Sequence, residues 1–105
     1  MFYRVRATLK ENTAIDFLRK LKDETISAQK PDGKEIIDSM NRAVLTNDGH
    51  VEWSEVCYCH TPLLHERTTV YDQYFDDFTT EVIESYEEFD GRPFMEYLAN
   101  LAFES

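Results

Sequence analysis

The stretch TTEVIESYEEF, residues 79–89, decides the fold. Val82, Ile83, Tyr86 and Phe89 recur at helical spacing, so a helix arriving from upstream can run straight through it. Yet Thr79, Thr80, Val82, Ile83 and Tyr86 are all better strand formers than helix formers, because branched and aromatic side chains lose rotamer freedom against a helical turn. Thr80, Val82 and Tyr86 share parity, with Glu84 interrupting. The composition favours a strand over 79–87. The alternative is one unbroken helix through 62–88, which would make the chain mostly α with a small β-hairpin.

Upstream, Thr61-Pro62 reads as an N-cap followed by proline at the first helical position. Leu63, Leu64, Arg67, Val70, Tyr71, Tyr74, Phe75 and Phe78 form a stripe of period 3.6, predicting a helix to about Phe78. Downstream, Asp90-Gly91-Arg92-Pro93 stops one element and starts another. Phe94, Tyr97, Leu98 and Leu101 then predict a C-terminal helix.

In the N-terminal half, residues 2–9 alternate: Tyr3, Val5, Ala7 and Leu9 on one face, Arg4, Arg6 and Thr8 on the other. A helix follows, with Asn12 or Thr13 as cap and Ala14, Phe17, Leu18 and Leu21 as its apolar stripe. Residues 24–40 turn at Pro31 and Gly33, and Ile36, Ile37 and Met40 fit either a helical turn or the start of a strand. Two β-favouring runs, near 41–46 and 50–58, flank Asn47-Asp48-Gly49, a hairpin cue because these residues tolerate positive φ. The predicted order is β-α-β-β-α-β plus a terminal helix, within one domain of 105 residues. That is the ferredoxin-like α+β pattern, a four-stranded antiparallel sheet with helices on one face.

The charge is −10 and uneven: residues 66–105 carry only Arg67 and Arg92 against eleven acids. Such a surface repels phosphate backbones and anionic headgroups, so neither nucleic acid nor membrane is expected as partner; the acidity reads first as keeping a small chain soluble, and as a docking face for a basic protein partner in the alternative. No run approaches the roughly 20 apolar residues of a spanning helix. Arg4 and Arg6 sit where a signal peptide needs its apolar core, so the expectation is a cytoplasmic chain beginning at or near Met1, with Cys57 and Cys59 reduced.

VCYCHTPLLHE, residues 56–66, brings two cysteines and two histidines together. On a straight strand Cys57 and Cys59 share the core face with Val51, Trp53 and Glu55, while His60 points away. Buried thiols pack as small hydrophobes, so the two are expected to be structural and no metal or cofactor is expected. C-x-C followed by His is not a usual zinc spacing. A thiol nucleophile with His60 or His65 as base lacks an orienting third group. Glu55 is the misfit on the core face and needs a partner.

The better functional lead is the sheet face without helices. Arg4 and Arg6 are expected there beside Glu52, Ser54, Tyr58 and His60, either as cross-strand ion pairs or lining a site for a small anionic ligand. The expected function is a homodimeric binding or interaction module without a catalytic motif. The dimer would use the open face or the terminal helix around Phe94, Tyr97 and Phe103. The alternative is a small cofactor-independent enzyme of the dimeric α/β-barrel type, with Arg4 or Arg6 holding an anionic substrate and Tyr58, His50 or His60 moving a proton.

Overall fold

Alternation in the first strand sets the layers. β1 spans Phe2–Leu9 in a computed structural model that describes residues 1–104, Glu104 by its backbone alone. Tyr3, Val5, Ala7 and Leu9 are buried, while Arg4, Arg6 and Thr8 stay partly exposed on the other face. β3 (Val51–Val56) lies antiparallel on one side of β1, with Trp53 opposite Val5 and Ser54 opposite Arg4. β4 (Phe75–Ile83) lies antiparallel on the other side, with Thr80 opposite Val5 and Glu81 opposite Arg4. Two short strands, β2 (Val44–Leu45) and β5 (Arg92–Pro93), complete a five-stranded antiparallel sheet in the order β4-β1-β3-β2-β5.

Among the described residues four helices accompany it, besides a 3-10 turn at Glu11–Thr13. α1 is Ala14–Lys22, α2 is Gly33–Arg42, α3 covers residues 64–74 and α4 is Phe94–Glu104. The fold is therefore mixed α/β, and residues 75–83 are strand, which removes the mostly helical alternative. It differs from the expected four-stranded sheet by β5, added outside β2, and by a second helix before β2. Among the described residues no helix is long and apolar enough to cross a membrane.

Two boundaries moved for identifiable reasons. Residues 41 and 42, expected to open a strand, stay helical because Ile36, Ser39 and Met40 are buried along one helical face. The helix expected to run to Phe78 ends at Tyr74. Residues 75 and 78 are spaced as in a helix, but a bulge lies between them: the register of β4 on β1 shifts between Thr8 and Arg6, and Asp77 has φ 53°. An extra residue in one strand reverses the parity that follows it, so Phe75 and Phe78 both reach the core side. Both pack on Trp53, with ring centroids 5.2 and 5.8 Å away. The Asn47–Gly49 turn forms as expected, with Thr46 N donating to His50 O at 2.8 Å.

β4 and β5 sit at opposite edges, so residues 84–91 must cross a face of the sheet. They cross the one without helices. Ser54, fully buried on that face, donates to Glu87 O at 2.8 Å and accepts from Glu87 N at 3.1 Å. The Phe89 ring lies 4.6 Å from the Arg4 guanidinium, and Tyr86 meets Phe2 edge-on at 4.9 Å. At the far end Gly91 passes so close to β2 that a β-carbon on it would stand 2.5 Å from Leu45 O. Gly91→Ala should therefore destabilise the fold by about 1–3 kcal/mol, the usual cost of forcing atoms into a packed site. Urea unfolding reads it, and an unchanged midpoint would mean that this strap is not seated.

Candidate functional site

The residues expected on the open face divide between two places. Arg4, Arg6 and Glu52 come together, lining a groove of about 550 Å³ with Thr79 and Glu81. Both guanidiniums are occupied by the chain itself. Arg4 donates to Glu52 at 2.8 Å, and Arg6 pairs with Asp48 and lies 3.0 Å from His50 Nδ1. This is the cross-strand ion pairing that the alternation allowed. Tyr58 and His60 do not join them, which corrects the expectation that they would. β3 ends at Val56, so the period of two stops before either residue. His60 is exposed, and Tyr58 lines a different cavity.

That second cavity, of about 510 Å³, is walled by Asp32, Glu35, Cys57, Tyr58, Cys59 and His65 among others. Its position follows from how the chain leaves β3. Cys57 still pairs like a strand residue: its N–H donates to Met1 O at 2.9 Å, and its carbonyl accepts from the Met1 amino group at 3.1 Å. Cys59 then turns inward, its N–H donating to Cys57 Sγ at 3.3 Å. Leu63 takes a left-handed backbone (φ 58°) and is fully buried. This moves the start of α3 to Leu64, past the expected Thr61-Pro62 start. The first turn, Leu64–Glu66, carries His65 outward and Glu66 inward, and a π turn over Arg67–Tyr71 follows. Positive φ at a leucine and π turns are both uncommon, and both concentrate at functional sites.

The side chains brought together are chemically unlike. His65 Nδ1 bonds Asp32, which stands at the start of α2. Glu66 is 1% exposed; Cys59 Sγ lies 4.0 Å from its Oε1, and its Oε2 has no hydrogen-bond partner among the described residues. Burial raises the carboxyl of Glu66; nearby Asp32 adds to the rise, while the Cys57 thiol works against it. Burial pushes the Cys57 thiol up to about 12, so it is protonated in the free site. The donor atoms of Cys57, Cys59 and Glu66 lie within 4.8 Å of one another, and so do those of Asp32, His65 and Glu66. Sequence spacing weighed the two cysteines against His60 and His65. The group that meets the thiols is Glu66, seven residues on, and the group that orients His65 is Asp32, thirty-three residues back. Neither leaves a local motif. No known protein family, curated protein or solved structure matches this chain.

Behind this wall lies Glu55, fully buried on the core face. Its Oε1 accepts from Trp53 Nε1 at 2.9 Å and from the Tyr71 hydroxyl at 2.6 Å, supplying the partners it needed, while Oε2 has none. Burial lifts its carboxyl from an ordinary 4.5 to about 8, against the two donors, with Glu66 and Glu35 adding repulsion. Between those values the folded chain holds a proton that the unfolded chain has lost. This group's stabilisation is therefore full below pH 4.5, declines as pH rises and is gone above about 8. Glu55→Gln should flatten that slope and be more stable than the parent above pH 8. Urea midpoints measured across the window check it, and parallel curves for the two proteins would contradict the assignment.

Proposed function

We propose that this protein is a binding module without catalytic activity, and that the cavity beside Tyr58 receives an apolar side chain from a basic protein partner. The observation that carries this is Tyr58 itself, 88% exposed on the rim of a cavity whose wall includes Val56 and Cys57. A tyrosine held out in water beside an apolar recess is the kind of residue on which interfaces concentrate their energy. Leu64, 50% exposed on the first turn of α3, extends the apolar rim. Asp32 and Glu35 supply the negative charge, and the chain's net charge of −10 favours approach of a cation over an anion. The groove at Arg4 and Arg6 supports an anionic substrate less well, since Glu52 and Asp48 already hold both guanidiniums.

In our reading the sheet is an elaborated ferredoxin-like one within a single domain. Without β5 its strands run β4-β1-β3-β2, and β5 and the second crossover helix are additions. The free thiols of Cys57 and Cys59 support a reducing, cytoplasmic setting. A homodimer is a second reading, favoured by the part of the open face that the strap leaves bare, at Arg6, Thr79 and Glu81. The terminal helix supports it less: Phe94 is fully buried and the Tyr97 hydroxyl is bonded to Glu11, leaving Phe103 exposed. Light scattering at micromolar concentration should give twice the chain mass, and a monomer would remove this second reading.

The binding proposal is tested with short peptides carrying one leucine or phenylalanine between lysines, against the same peptides with glutamate for lysine. Amide shifts should move at Tyr58, Cys59 and His65 with the basic set alone. Tyr58→Ala should weaken that binding about tenfold or more, the effect of losing one anchor residue. Equal binding of the acidic set, or none at these amides, would overturn it.

A further inference from the structure

We propose that Cys57, Cys59, His65 and Glu66 form a zinc site in the wall of this cavity, with Asp32 holding His65 in orientation. The inference stands apart from the peptide-binding proposal, because it rests on the inner side of the wall and not on the Tyr58 rim.

The first observation is the buried Glu66 oxygen. Oε2 lacks a partner in a side chain 1% exposed, with a second carboxylate, Asp32, within 4.8 Å. A buried acid next to another acid is unfavourable unless a proton or a cation shares the space. The second is the donor set. Two sulfurs, an imidazole nitrogen and a carboxylate oxygen are the ligands of a borderline-soft ion; calcium and magnesium require oxygen throughout.

The third is geometry. Ligands at 2.0–2.3 Å from a tetrahedral zinc stand roughly 3.3–3.8 Å apart; the donors of Cys57, Cys59 and Glu66 are within 4.8 Å of one another, and Glu66 is shared with the separate Asp32–His65–Glu66 group. Side-chain rotation closes the first group on an ion, and His65 completes the four by turning Nε2 toward the thiols. The fourth is the outer contact: His65 Nδ1 already bonds Asp32, the carboxylate–histidine arrangement that fixes a zinc-ligating ring and leaves Nε2 for the metal. Zinc takes its sulfur ligands as thiolates, so binding would release thiol protons to solvent and affinity should rise with pH. The expectation of metal-free cysteines weighed Cys57 and Cys59 against the histidines alone. Glu66 links the thiols to His65, and that link exists only after α3 has turned back.

The test uses the full chain, stripped with chelator under reductant and titrated with Zn²⁺ and, separately, Co²⁺. Native mass spectrometry should show one ion per chain, and cobalt should give the near-ultraviolet charge-transfer absorption of thiolate ligands. Cys59→Ser and Glu66→Gln should each weaken zinc binding at least tenfold. Asp32→Asn should weaken it about 10–100-fold while keeping one ion per chain, as loss of an outer partner does. The parent protein decides the matter even where a variant fails to fold. Absence of a stoichiometric ion, a cobalt spectrum without thiolate bands, or unchanged binding in the folded Cys57→Ser/Cys59→Ser double variant would each overturn the site. Loss of peptide binding alone would leave it standing.

Discussion

A strand at one edge of a sheet, followed in the chain by a strand at the other edge, forces the connection across a face. β4 and β5 are in that relation. Four strand spacings are about 19 Å, and the nine residue steps from Ile83 to Arg92 reach at most roughly 30–32 Å, so the link cannot loop far into solvent. Its contacts with Ser54, Arg4 and Phe2 follow from that shortage of slack. Once the strap lies there, half of the face that faced no helix is closed by the chain itself. The strip at Arg6 and the recess where β3 hands over to α3 stay open. The location of the candidate site is thus partly a consequence of the sheet's own wiring.

Charge on this chain has two distinct settings. On the strap side the arginines are neutralised by close acids at partly exposed positions, where such pairs contribute little to stability. On the helix side, Glu55 and Glu66 are enclosed without a cationic partner among the described residues, each with one oxygen unsatisfied there. Groups of the second kind are costly, and chains that retain them usually draw on them for a proton, an ion or a ligand. The Tyr71 hydroxyl, itself raised well above its usual range by burial, ties one of them to the π turn. The unusual helix geometry and the unusual carboxylates therefore belong to one local arrangement.

Much of the fold was legible because its signals were local. The alternation of Tyr3 to Leu9, the turn at Asn47–Gly49 and the terminal helix behind Pro93 each declare themselves within a few residues. Phe78 misled because a bulge and a helix both place residues i and i+3 on one side. The strap was illegible: SYEEFDG carries no period, and its placement is a property of strand order, which no short window contains. At the site, Cys57 was correctly taken as buried, but alternation was carried past the true end of β3. That moved Tyr58 and His60 to the wrong face and hid the approach of Glu66, His65 and Asp32.

The bulge at Asp77 has a further effect on how the molecule behaves in company. β4 is the longest strand and forms an outer margin of the sheet, with nine residues of unpaired backbone along its free side. A flat margin of that length is a template on which other chains extend into fibrils. Here Asp77 breaks the line of donors and acceptors partway along it, and Asp76, Asp77 and Glu81 place negative charge where a neighbouring copy would have to lie. The distortion that brings Phe78 into the core thus also interrupts the edge along which a strand of another chain would pair.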